Sequence, residues 1–379
     1  MAKPLEDVRV VDLSHVIAGP LASFYLAQLG AEVIKVEPPQ GEVMRGRAGF
    51  AAMNAGKRSV AVDIRTTEGA QAVRELAASA DVFIENFRPG VVKRHGLGYE
   101  RIAEVRPDIV YCSVSGYGQQ GEWSGRGAYD HVVQALTGMM MQAGADPQAP
   151  PLKVGFPVID VATGVLSALA IVSALRRRDQ GGGGQYIDAS MVQASLALMY
   201  PLASASLTCG REPERVGNRG FSGSPAADTY RCTDGWLATA ANTPAQFRVL
   251  ARALGLEALC EDARALDLEK FNAPNGGFVV ARDFEYLAGR LREAFAARSA
   301  VAMEAALNAA GVPAARVRGL GEFLQEASGR TTFPVFEFEE KNQKVRTPGL
   351  GFLFGEDAGQ AGGGAPELGE ANAELLGKR

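Results

Sequence analysis

Five short, strongly apolar runs fall within the first 115 residues, and stretches of helical period separate several of them. This alternation constrains the chain more than any other feature. The runs are Val8–Leu13, Glu32–Glu37, Arg58–Asp63, Asp81–Glu85 and Asp108–Ser113. Leu21–Leu29 and Thr67–Ser79 repeat apolar residues at helical spacing, and Gly30 stands where a helix C-cap would. Strands alternating with helices of this length predict βαβ units and a parallel sheet, an α/β fold of Rossmann-like type.

Further along, the spacing predicts helices over 130–142, 161–178 and 191–203, with a strand at Gln185–Asp188. The segment 208–230 is rich in Gly, Ser and Pro and reads as a linker or mobile loop. Beyond it, 231–317 reads as a small α-rich domain. It has a strand at Trp236–Ala241, a Thr243-Pro244 helix start, and helices near 246–254, 282–297 and 299–310. Residues 311–317 read as extended, and strands return between Phe333 and Phe354. A Gly-rich loop (355–365) and a last helix (366–376) follow. The large domain is therefore expected from 1–207 together with 318–379, in keeping with 379 residues at about 150 per domain.

Composition narrows the function classes. Lys plus Arg is 39 and Asp plus Glu 43, a net charge of −4, which argues against a dedicated nucleic-acid binder. The four cysteines include no C-x-x-C pair and form no disulfide scaffold. The opening residues carry no apolar h-region. The longest apolar window, Val161–Leu175, is shorter than the ~20 residues a membrane span needs. A cytoplasmic protein without membrane contact is the expectation.

Gly116-Tyr117-Gly118-Gln119-Gln120-Gly121 spells a dinucleotide fingerprint after a predicted strand. That motif must open a helix, so that the pyrophosphate meets the helix N-terminus. Here Glu122–Gly127 follows, with no helical apolar pattern, so a plain loop and no NAD site are expected. From spacing alone, Asp160 before the long apolar helix reads more readily as an N-cap than as a reactive carboxylate.

An ordered set of strings resembles the family III CoA-transferases of the CaiB/BaiF group, which also takes in the α-methylacyl-CoA racemases. The strings are Val11–Pro20, Ala31–Glu37, Asn54–Val60, Glu85–Gly90, Pro157–Gly164, Gly311–Ala314 and Pro366–Glu370. They span nearly the whole chain. The resemblance implies a Rossmann-like large domain, a small inserted domain and an interlocked homodimer. It also implies coenzyme A or acyl-CoA as substrate with a small organic acid, succinyl-CoA being one candidate donor, and no metal.

Asp160 matches the family's catalytic Asp. Its expected role is to form a mixed anhydride and then an aspartyl-CoA thioester, with the helix dipole favouring its anion. Tyr129 occupies the place where the racemase branch has His. Since Tyr titrates near 10, it is a poor base at neutral pH, which favours transfer over racemisation. His131, two residues on, would point about 200° away on a helix. Asn242 likewise agrees with the transferase branch, where racemases tend to show an acid. By resemblance, Asn86, Phe87 and Arg94 contact CoA, and Arg65 lies near its phosphates. Pro38 replaces an Arg common in the family after the residue aligned with Glu37, leaving Arg45 or Arg47 to supply that contact. His15 and Ile17 flank the substrate turn; a formyl-transferring member carries Gln where Ile17 stands. Gly220 and Gly223 match a mobile loop over the active site. The alternatives are a racemase or epimerase of the same superfamily and a non-catalytic CoA-binding protein.

Overall fold

The computed structural model describes residues 3–144, 146, 148–274, 276–331, 333–340, 343–354 and 363–377. It divides into two compact units, one of residues 1–141, 151–213 and 332–379, the other of 142–150 and 214–331. Within the span 208–230 read as a linker, residues from Glu214 onward belong to the second unit.

The first unit runs β1 (Arg9–Asp12), α1 (Ala18–Gln28), β2 (Glu32–Glu37), α2 (Ala48–Asn54), β3 (Arg58–Ala61), α3 (Thr67–Ala78), β4 (Val82–Glu85), α4 (Val91–Arg94), α5 (Tyr99–Val105) and β5 (Val110–Ser115). It continues through α6 (Asp130–Leu136), α7 (Val158–Arg177), β6 (Gln185–Ser190), α8 (Met191–Leu198) and α9 (Tyr200–Cys209). The six strands form one sheet in the order β3-β2-β1-β4-β5-β6, each neighbouring pair parallel. The strand period of two sends Val10, Ile84 and Cys112 to one face, beneath Leu26 of α1 and Ile171 and Leu175 of α7. Val11, Phe83 and Tyr111 point to the other face, against Val73 and Leu76 of α3 and Ile102 of α5. Burial on both faces is why these strands read as continuous apolar runs.

In the second unit, β7 (Thr229–Cys232), β8 (Gly235–Thr239) and a later strand form a small antiparallel sheet. Its helices are α10 (Pro244–Leu254), α11 (Leu268–Asn272), α12 (Phe284–Ala296) and α13 (Ala300–Ala309), before that third strand, β9 (Ala314–Arg316), and α14 (Leu320–Ala327). Phe247, Leu250, Leu291, Phe295 and Leu307 centre its core. Thr243 closes a capping box with Gln246, and Pro244 begins the helix. The chain then returns to the first unit through the hairpin β10 (Val335–Glu340) and β11 (Gln343–Pro348). It ends at α15 (Asn372–Leu375), where the Asn372 side chain accepts from the Ala61 N–H at 2.8 Å.

Three sequence expectations change, and a fourth falls mostly outside the described residues. The helix expected over 191–203 is two helices, because Pro201 has no N–H to bond back to Ala197 in a continuous helix and fits the start of a new one, and the chain turns at Met199. The helix expected over 366–376 covers only Asn372–Leu375. Most of the Gly-rich loop 355–365 lies outside the described residues. Finally, α7 starts three residues early, at Val158, and spans 20 residues, long and apolar enough to cross a membrane by length and composition. Eight of its residues are nonetheless buried, among them Thr163, Gly164 and Ser167. A Cβ on Gly164 would stand 2.8 Å from the Ala18 carbonyl oxygen and 3.0 Å from Leu21 Cβ. Glycine there lets α7 lie directly on α1.

Candidate active site

The sheet order reverses between β1 and β4, so the crevice past their carboxyl ends is the place where such sheets bind ligands. The two loops leaving these strands are tied together. The Asn86 side chain accepts from the His15 N–H at 2.9 Å and donates to the His15 carbonyl at 2.7 Å. Between His15 and Ile17, Val16 sits at φ +70°, a left-handed conformation costly for a β-branched residue. Gly19 permits the close return, since a Cβ there would fall 2.2 Å from Ser14 Cβ.

A buried polar network holds this strained turn from beneath. Asp12, at the end of β1, accepts from the Ser14 N–H at 2.8 Å, from the Ser14 and Ser23 hydroxyls, and from Lys57 Nζ at 3.2 Å. Lys57 also donates to Ser23 Oγ, Asn54 Oδ1 and the Pro20 carbonyl at 2.7, 2.9 and 3.0 Å. Burial pushes the Lys57 ammonium down to about 8, opposed by the Asp12 charge. Burial also works to raise the Asp12 carboxyl, but Lys57, Lys35 and the two hydroxyls hold it below the usual range. Lys35 donates to the Ser14 carbonyl at 3.0 Å and to Glu42 at 2.8 Å.

Two cavities open along this crevice. One, of about 430 Å³, holds Asp160, Tyr129, His15, Ile17, Asn86 and Phe87 in its wall. The other, of about 580 Å³, is lined by Glu37, Pro38, Asp63 and Arg65. His15, Val43, Phe87 and Val91 line both, so the two adjoin across these side chains. The His15 and Phe87 rings meet at 5.2 Å where they join.

Asp160 lies in the first turn of α7 rather than just before it, and Pro157 takes the N-cap place. The free N–H groups of that turn are satisfied by another carboxylate. Asp130 accepts from Ile159 at 2.7 Å and from Asp160 at 3.1 Å, and is itself held by Gln134 at 2.6 Å. The dipole was expected to favour the Asp160 anion. Instead its carboxyl is pushed up to about 6, first by burial and then by the Asp130 charge. Tyr129 is the N-cap of α6, with extended backbone at φ −139°. The argument from helical phase therefore fails for His131, whose ring faces that of Tyr129 at 6.5 Å.

The other expected site residues divide. Arg65 reaches the larger cavity while paired with Asp63 through 2.7 and 2.8 Å bonds. Arg45 is committed elsewhere, because its guanidinium grips Glu37 at 2.5 and 2.6 Å and the Pro366 carbonyl at 2.9 Å. Arg94 ends the short α4, exposed, and lines neither cavity. Gly220 and Gly223 belong to the second unit, where they form a tight turn with Gly223 at φ +69°. In the same unit Ser222 donates to Asn242 at 2.5 Å. Sequence reasoning missed Asp130, Val16, Lys57, Arg88 and Arg126. Lys57 and Asp12 lie in quoted strings, but nothing in a 45-residue separation announces contact.

The Gly116–Gly121 loop opens no helix: α6 begins only at Asp130. Its Gly118 and Gln119 N–H groups are taken by Ser115 Oγ at 3.0 Å and by Asp188 at 2.9 Å. Among the described residues, no group of three or more His, Cys, Asp or Glu side chains could hold a metal ion.

The fold and crevice define a doubly wound α/β enzyme with a carboxylate set in its ligand groove. A profile described as CoA-transferase family III matches residues 5–372. A succinate–glutarate CoA-transferase of Agrobacterium fabrum is 38% identical over 277 residues, 69% of each chain. A succinyl-CoA–D-citramalate CoA-transferase of Chloroflexus aurantiacus is 30% identical over 396 aligned positions, covering 99% of this chain and 93% of that one. The crystal structure of a CaiB/BaiF family protein from Brucella suis superposes with a TM-score of 0.81 at 30% identity, over 99% of both chains. The chain belongs to CoA-transferase family III and is a CoA-transferase.

Proposed function

We propose that this enzyme moves CoA from succinyl-CoA to a dicarboxylic acid, with Asp160 as the nucleophile. The observation that carries this reading is the position of Asp160 in a cavity that adjoins a second, larger one, which together offer room for a long thioester substrate. Asp160 attacks the donor carbonyl, the C–S bond breaks, and a mixed anhydride and CoA thiolate result. The thiolate attacks the aspartyl carbonyl and releases the donor acid, leaving an aspartyl-CoA thioester. The acceptor carboxylate then attacks that thioester, and the returning thiolate completes acceptor-CoA and restores Asp160. The His15 imidazole, kept toward its neutral form by burial and Lys35, would line the path of the pantetheine arm. Both similar relatives carry names with succinyl or succinate and a dicarboxylic acid, which supports the substrate class.

A homodimer also belongs to this reading. No residue of α9 is buried, and Tyr200 and Leu207 are 71% and 88% exposed, an apolar helix that a second copy would cover. Burial of the inner face of α7 supports a core helix rather than a membrane span.

Incubation in D₂O with a panel of acyl-CoAs and free acids, read by mass spectrometry, tests the reaction. New thioesters without α-deuterium are expected. Deuterium at the α-carbon with no new thioester would replace transfer by racemisation.

The pH dependence follows from the raised Asp160 carboxyl. Attack requires the carboxylate, so kcat/KM for the donor should rise with pH up to about 6 and level off above it. Asp130→Asn keeps an oxygen acceptor for the N–H groups of Ile159 and Asp160 but removes the like charge. Its profile should shift to lower pH; an unshifted profile would assign the raised value to another group.

A further inference from the structure

We propose that Arg126 is the specificity residue that binds the distal carboxylate of a dicarboxylic acyl group at this site. The inference rests on the transferase reading above and deepens it.

Arg126 stands on the loop between β5 and α6 that the dinucleotide reading left without a role. It lines the cavity of Asp160, beside Ser124, Ala128 and Tyr129, and does not line the larger one. Its guanidinium lies 4.5 Å from the centroid of the Trp123 ring, a contact that helps to orient the planar group. Arg88 approaches from the neighbouring loop: a Cβ on Gly127 would fall 3.1 Å from Arg88 Nη2. Two guanidinium groups therefore flank one glycine, and neither has a carboxylate partner among the described residues. By contrast, Arg45 and Arg65 already hold Glu37 and Asp63.

Two exposed cations in the wall of this cavity, without a carboxylate partner among the described residues, favour an anion between or against them. A substrate can bring such an anion from two sources. The CoA phosphates are separated from the thioester by the whole pantetheine arm, and the larger cavity lies in that direction from Phe87. A second carboxylate lies only a few methylenes from the carbonyl that must reach Asp160, and Ile17, Ala18 and Met191 offer those methylenes an apolar wall. The fork of a guanidinium matches a carboxylate through two parallel hydrogen bonds, which a lysine cannot reproduce. Arg88 also lines this cavity and not the larger one, but it follows Phe87 at the junction of the two, whereas Arg126 lies in the stretch of wall that carries Tyr129.

Succinyl-CoA and butyryl-CoA carry four-carbon acyl groups that differ only in the distal carboxylate. With glutarate as common acceptor, the ratio of their kcat/KM values is measured for the wild type, Arg126→Gln and Arg126→Lys. The ratio should fall by roughly 10–100-fold in the Gln variant and by an intermediate factor in the Lys variant, which keeps the charge without the fork. An unchanged ratio with both values lowered alike would assign Arg126 to a CoA phosphate and overturn the proposal. An unchanged ratio with neither value lowered would overturn it as well. A wild-type protein that transfers CoA from no donor would instead overturn the transferase reading on which the proposal stands. Thermal melting of each variant separates lost binding from lost folding, and the Lys variant keeps the test decisive if the Gln variant does not fold.

Discussion

Asp160→Ala is expected to lower kcat for CoA transfer by about 10⁴-fold or more, while CoA still binds and the thermal melting point stays near that of the wild type. Chemically, the neighbouring polar side chains do not replace the nucleophile: none of Tyr129, His15, Asn86, Arg88 and Arg126 in the cavity wall is a carboxylate that can form an anhydride. Structurally, Asp160 caps nothing. The N–H groups at the start of α7 are held by Asp130, so removing the Asp160 side chain leaves the helix start intact. An Asp that served only as the helix cap would lose about 0.5–2 kcal/mol of stability on replacement. Here stability is predicted to be retained and turnover lost. Near-normal turnover by Asp160→Ala would sink the mechanism and assign the nucleophile to another group.

The second large effect is on stability. Lys57→Met leaves the Asp12 carboxylate buried without its cation, an imbalance that costs about 3–5 kcal/mol. The methionine also abandons Ser23 Oγ, Asn54 Oδ1 and the Pro20 carbonyl, which Lys57 Nζ now satisfies together. Chemical denaturation should show the loss, and the double variant with Asp12→Asn should recover part of it, because the stranded charge is gone. If the single and double variants are equally destabilised, the cost lies in the lost hydrogen bonds and not in the charge. Because Asp12 also anchors Ser14, the strained turn at Val16 should loosen and CoA binding weaken with it.

Much of the architecture was legible because local patterns agreed with the global fold. The runs at 32–37 and 81–85 are strands almost to the residue, since a strand buried on both faces needs an unbroken apolar stretch. Thr243-Pro244 opened a helix as its chemistry requires. The errors cluster where a long-range contact decides. The dipole argument for Asp160 was sound for an exposed helix start, but burial and Asp130, thirty residues away in sequence, outweighed it. The helical-phase argument for His131 assumed that Tyr129 was already helical, whereas the chain is extended there. Arg45 looked like a free cation until Glu37 closed on it.

The sequence by itself determined the α/β class, the family and the candidate nucleophile. These reside in periodicity and in ordered strings, which are properties of neighbours along the chain. Only the tertiary structure decided which charges are spent and which remain free. Arg45 and Arg65 are paired, Arg88 and Arg126 face the Asp160 cavity without a carboxylate, and Asp160 itself holds its proton more tightly than an exposed carboxylate does. The physical reason is that electrostatic partnership depends on distance in space and on exclusion of water. Folding sets both by bringing together residues that the sequence keeps apart.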